Sequence, residues 1–164
     1  GCHMSLLDID ERFLQLLELV EFDRSPIDDI KHISGPVDLG LIEGGVCNAE
    51  NVHVLREFRR MCKVLVAVGE CSITGGIPSM RNSFTLKECL EESYIRGFGV
   101  EFAHIPDDPE IPLLLDKVYP LHEVVKIDHF LPGCPPSADA FWHFLTELAA
   151  GRDPQLPTEL IHFD

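Results

Sequence analysis

The apolar residues of this chain recur in short runs with two different spacings. From Met4 to Val20, Leu6, Ile9, Phe13, Leu16, Leu17 and Val20 return at helical intervals, which predicts one amphipathic helix with Ser5 and Asp8 as a first-turn cap. Val37 to Ile42 is a short apolar run closed by Glu43-Gly44-Gly45, and Asn48 then stands where it can cap a helix whose Val52, Leu55 and Phe58 face a core. Lys63 to Val68 is apolar, rich in β-branched residues and without alternation, as expected of a parallel strand covered on both faces. Gly69 stops it. The loop Gly75-Gly76-Ile77-Pro78 leads to a helix expected near Leu86 to Tyr94, then to a proline-interrupted stretch from Pro106 to Pro120 and a last strand over Val124 to Phe130. Ser137 caps a closing helix with Phe141, Phe144, Leu145 and Leu148 on one face, ended by Gly151 at C′, and the tail after Pro154 reads as irregular.

Strands alternating with helices predict an α/β chain built as a doubly wound parallel sheet, in which ligands gather beyond the carboxyl ends of the strands. Because Cys2 lies just before the first helix, a first strand is expected ahead of it, outside this chain. The 164 residues, 45% of them hydrophobic, are read as a single domain spanning 1–164. No run of about twenty apolar residues occurs, so no membrane span is expected. Thirteen basic against 28 acidic side chains leave a formal charge of −15, which repels phosphate backbones and anionic lipid and argues against nucleic acid as a partner. Six cysteines without the regular spacings of a disulfide scaffold point to thiols kept for metal or packing in a reducing, cytoplasmic compartment. The opening on Gly1-Cys2 leaves a targeting signal an open question.

Three of those cysteines stand beside glycine where the backbone should turn: Gly1-Cys2-His3, Gly69-Glu70-Cys71 and Gly133-Cys134-Pro135-Pro136. Soft thiolates on glycine-lined loops suit an iron-sulfur cluster, because glycine lets main-chain N–H groups approach the sulfides. Cys71 and Cys134 each follow an expected strand and are the stronger candidates. Cys62 and Cys89 fall in helical patterns and are read as small buried hydrophobes. A 4Fe-4S cluster takes four thiolates, and two sources of the fourth stay open: Cys47, which also follows a strand and two glycines, or a residue upstream of Gly1. An upstream Cys-x would make the opening C-x-x-C-H, the attachment signature of a c-type haem with His3 as axial ligand, but that reading leaves Cys71 and Cys134 without a role. No H-E-x-x-H, G-x-G-x-x-G, Walker loop or nucleophile elbow occurs, so zinc hydrolase, NAD-binding, ATP-binding and esterase readings have no support.

Gly1-Cys2-His3-Met4-Ser5-Leu6-Leu7-Asp8, Gly69-Glu70-Cys71 with Gly75-Gly76-Ile77-Pro78, and Pro132-Gly133-Cys134-Pro135-Pro136 together resemble the small subunits of nickel-iron hydrogenases, over nearly the whole chain. The short form, with Glu43-Gly44-Gly45-Val46, Met80-Arg81-Asn82 and Tyr119-Pro120-Leu121-His122-Glu123-Val124-Val125-Lys126, is most similar to the cytoplasmic NAD-reducing type. The resemblance implies a flavodoxin-like fold and one proximal 4Fe-4S cluster held by Cys2, Cys71 and Cys134, with the fourth ligand two residues before Cys2 and no ligand role for Cys47. It also implies a large subunit carrying the nickel-iron centre and diaphorase subunits carrying FMN and further clusters. Together they catalyse H2 + NAD+ giving NADH and a proton. An FMN close to this subunit has been proposed for some relatives. Two alternatives stay open: a related cytoplasmic hydrogenase with another acceptor, and the cluster subunit of complex I, whose adjacent cysteine pair is absent here.

Overall fold

The computed structural model describes residues 1–25, 30 and 32–163. Three parallel strands form the main sheet: β1 (Val37–Glu43), β3 (Cys62–Val68) and β5 (His129–Leu131), in the order β1-β3-β5. Central β3 is buried at Leu65, Val66, Ala67 and Val68, which explains its unbroken apolar run. Alternate side chains point into two cores, as the two-residue period of a strand requires. Val66 and Val68 pack with Ile9, Leu16, Leu131, Phe141 and Phe144 on one face, under α6 (Ala138–Ala149). Leu65 and Ala67 pack with Leu55, Val46 and Leu121 on the other, under α3 (Ala49–Met61). Helices on both faces bear out the doubly wound, flavodoxin-like expectation.

The helix starts follow the side chains expected to cap them. Asn48 Oδ1 accepts the Asn51 N–H at 2.8 Å to open α3, and Ser137 Oγ accepts that of Ala140 at 3.1 Å to open α6. At α5 (Leu86–Tyr94), Thr85 and Glu88 form a reciprocal capping box. Gly151 takes the left-handed conformation after α6, with φ +70°.

Several expectations need correction. The single helix over Met4–Val20 is two helices, α1 (Cys2–Leu7) and α2 (Arg12–Leu19). The chain turns at Asp10, φ +60°, a conformation aspartate tolerates better than most residues, while Ile9 stays buried in the turn and so preserves the apolar period. Ser5 is consequently buried within α1 and Asp8 lies at its C-terminal end; neither is a first-turn cap. The stretch Pro106–Pro120 contains β4 (Leu114–Tyr119), which pairs antiparallel with the three-residue β2 (Val46–Asn48) in a small second sheet. The last parallel strand is His129–Leu131, whereas Val124 and Val125 pack against the α3-side core instead of extending it. Cys62 is buried as expected, but as the first residue of β3 and not in a helix.

An ionic latch fixes β5 to β3. Asp128 Oδ2 accepts the Leu65 N–H at 2.9 Å and is paired with Arg59, which also donates to the carbonyls of Cys62 and Lys126 at 2.8 and 3.0 Å. Burial raises the Asp128 pKa, but hydrogen bonds from Arg59 and the Leu65 N–H outweigh it and hold the carboxyl below the usual range. A lowered native pKa means the contribution is complete above about pH 4 and fades as pH falls through the native value. Asp128→Asn is therefore expected to cost about 2 kcal/mol at neutral pH. Chemical denaturation at pH 7 and at pH 3 checks this, with the gap between wild type and variant shrinking in acid.

Candidate metal centre

Three loop motifs meet at the carboxyl end of the parallel sheet. After β3 the backbone turns at Gly69, φ +78° and ψ 163°, and enters the single-turn α4 (Glu70–Ile73), which carries Cys71. After β5 it runs through Gly133 to Cys134. Two main-chain hydrogen bonds tie the loops together, Gly69 N–H to Leu131 O at 2.8 Å and Glu70 N–H to Gly133 O at 2.9 Å. Below them, fully buried Ser72 donates to the carbonyls of Val68 and Gly69, which closes the turn from within.

Cys2, at the start of α1, completes the group. A Cβ added to Gly69 would lie 2.5 Å from Cys2 Sγ, 3.6 Å from Gly133 O and 3.8 Å from Pro136 Cδ, so all three motifs converge on the space a side chain at 69 would fill. Cys71 Sγ lies against the neighbouring Gly76. Cys2 and Cys71 are partly buried and Cys134 is exposed. The loops that carry Cys2, Cys71 and Cys134 thus meet at the carboxyl end of the sheet, with the Cys2 thiol beside Gly69 and the Cys71 thiol beside Gly76.

Cys47 goes elsewhere. Its thiol donates to Asn51 Oδ1 at 3.2 Å, which draws it into the cap of α3. Cys89 lies on α5 and is only partly buried there.

Burial, the Glu43 carboxylate beside it, a hydrogen bond to that carboxylate and the neighbouring Cys71 push the Cys2 thiol up to about 12. Glu43 ends β1 and also binds His3 Nδ1 at 3.0 Å. Its own burial raises its pKa, yet the hydrogen bonds from His3 and Cys2 prevail and lower it. The carbonyl of His162 accepts the Cys134 N–H at 3.3 Å, so the irregular tail folds back under the third motif. Neither Glu43 nor His162 stood out in the sequence. Glu43 was legible as the end of a strand and as part of the Glu43-Gly44-Gly45-Val46 stretch, but not as a neighbour of Cys2, and the His162 contact is made by backbone, which carries no residue signature.

Among the described residues no three or more His, Cys, Asp or Glu side chains converge on a single ion. A four-iron cube sets a different requirement, since each thiolate binds its own iron and the ligands stand apart around it. Soft donors beside the loops at the sheet end, with Cys2 Sγ facing a glycine whose missing side chain keeps the space open, fit such a group.

A parallel sheet with helices on both faces and cysteine-bearing loops at its carboxyl end defines a protein of the flavodoxin-like α/β class. The chain belongs to the family described as NADH ubiquinone oxidoreductase, 20 Kd subunit, which matches residues 1–148. It is 46% identical to the NAD-reducing hydrogenase HoxS subunit delta of Cupriavidus necator, covering all of this chain and 80% of that one. It is 35% identical to a subunit of the F420-non-reducing hydrogenase vhu of Methanocaldococcus jannaschii, covering 98% of this chain and 56% of the archaeal one. A chain in the crystal structure of an NAD+-reducing NiFe-hydrogenase in the H2-reduced state superposes with a TM-score of 0.95 at 50% identity, over all of this chain and 92% of that chain. The resemblance to small subunits of nickel-iron hydrogenases is borne out, and with it the assignment to an oxidoreductase complex. No described helix is long and apolar enough to cross a membrane.

Proposed function

We propose that this chain is the electron-transferring small subunit of a cytoplasmic NAD-reducing nickel-iron hydrogenase and that it holds one proximal 4Fe-4S cluster. The ligands are Cys2, Cys71, Cys134 and a fourth thiolate from a residue preceding Gly1. The observation that carries this reading is the meeting of the three cysteine motifs around Gly69 at the carboxyl end of the sheet. When bound, the cluster supplies one-electron transfer between the nickel-iron centre of a large subunit and a diaphorase module with FMN.

The chain's own residues prepare that site. Gly69 and Gly76 leave room beside Cys2 Sγ and Cys71 Sγ, and Pro135 and Pro136 fix the third loop. Cys2 must lose its proton to bind metal, and the Glu43 carboxylate stands beside it at the end of β1. None of these groups makes or breaks a bond in hydrogen; that step belongs to the partner.

Iron and acid-labile sulfide, measured per small subunit in the anaerobically purified complex together with the EPR signal of the dithionite-reduced sample, test the reading. Four irons assignable to this subunit and one reduced-cluster signal are expected. A subunit free of iron in an otherwise metal-loaded complex would leave all the cysteines structural.

A further inference from the structure

Between α5 and β4 the chain leaves the body of the protein. From Ser93 to Leu114 every residue is exposed except Gly97, Pro106 and Pro112, which are half-buried. Past the end of α5 at Tyr94 the stretch contains no helix or strand until β4 begins at Leu114. Many of its hydrogen bonds are local, such as Val100 N–H to Gly97 O and Glu110 N–H to Asp108 Oδ1. Its C-terminal end is tethered by the Ala49 N–H to Leu113 O bond at 2.9 Å and by the pairing of Leu114 with Asn48. A connection this long without regular structure in a compact α/β chain is characteristically a functional segment.

Its composition is not that of a solvated loop. Phe98 is fully exposed, Phe102 is 84% exposed and Leu113 80%, and Ile111 is half exposed. Large side chains gathered on one projecting segment mark a surface meant to be covered. Pro106, Pro109 and Pro112 restrict the backbone and so reduce the entropy lost when the segment is immobilised.

Charge selects what covers it. Residues 94–114 hold four acids, Glu101, Asp107, Asp108 and Glu110, against one base, Arg96, a net of −3. The whole chain carries −15. A second copy would bring the same negative arm and the same negative body, and an anionic bilayer would repel it likewise. A partner whose apolar surface is rimmed by lysine and arginine satisfies both the exposed rings and the acids.

We infer that the arm over 93–114 is a docking element for a basic-rimmed, apolar groove on another protein subunit, with Phe98, Phe102 and Leu113 as its anchors and Asp107 and Asp108 meeting the rim. The inference rests on the chain working as a subunit of the complex proposed above, and is independent of the cysteine ligand set.

The test uses the native complex carrying either Phe98→Ser with Phe102→Ser or Asp107→Lys with Asp108→Lys in this subunit. These side chains are exposed, so circular dichroism of each variant should match wild type. Subunit composition is read by native mass spectrometry over a dilution series, alongside hydrogen-driven viologen reduction. Each variant is expected to lose one and the same partner subunit at roughly tenfold or more higher complex concentration than wild type. In wild type that loss should be promoted by salt. Full retention in both variants overturns the inference, as does finding that the arm mediates self-association of this chain or binding to anionic vesicles. A wild-type complex without hydrogen-driven dye reduction overturns the hydrogenase reading instead, and subunit retention still decides the arm.

Discussion

Cys71→Ser and Cys134→Ser should each reduce the iron and sulfide of the small subunit to background and abolish hydrogen-driven NADH formation, while the large subunit keeps its nickel. The reason is ligand chemistry: a serine hydroxyl is a hard donor with a far higher pKa than a thiol and is a poor substitute for a thiolate on iron. Cys62→Ala is the internal control. Its sulfur is buried at the start of β3 and packs over Gly40, so its loss costs about 1 kcal/mol of packing and no iron. Metal analysis and urea unfolding of the three variants separate the two classes. Undiminished iron in Cys134→Ser would remove that residue from the ligand set.

Gly69→Ala should lose the cluster from a chain that still folds. The backbone there, φ +78° and ψ 163°, is one that alanine adopts only at a cost of about 1–3 kcal/mol. The added methyl would also stand 2.5 Å from Cys2 Sγ. A sulfur can rotate away where a backbone atom could not, so the clash is relieved by turning Cys2 out of the site and not by opening the fold. Gly44→Ala isolates the strain: φ is +84°, but nothing lies within 4 Å of the new methyl. Both variants should be similarly destabilised in thermal unfolding, and only Gly69→Ala should lose iron. Equal iron content in the two would show that the space beside Gly69 is not needed by the cluster.

Where a feature is encoded locally, the sequence was legible. Asn48 and Ser137 are caps because their side chains reach an N–H three residues on, and both were identifiable without a fold. The run at Lys63–Val68 announced a strand buried on both faces, and Gly69 and Gly133, just ahead of Cys71 and Cys134, announced the turns at the sheet edge. Features that depend on partners distant in the chain were hidden. Residues Val46–Asn48 form a strand only because Leu114–Tyr119 lies beside them, and three residues are too few to show a period. The break at Asp10 left the apolar spacing intact because Ile9 remained inside, so a helical pattern persisted across a point where the helix does not. Glu43 entered the site through the third dimension: it closes β1, and only the arrival of α1 beside that strand places Cys2 and His3 on its carboxylate.

Passage of electrons from hydrogen toward NAD through this chain is tested by hydrogen-driven reduction in the anaerobically purified native complex, with NADH followed by absorbance and a viologen dye as parallel acceptor. Reduction of both acceptors is the predicted result, with NADH formation lost in the Cys71→Ser complex. No reduction of either acceptor by an intact, iron-loaded complex would exclude a role for this chain in hydrogen oxidation.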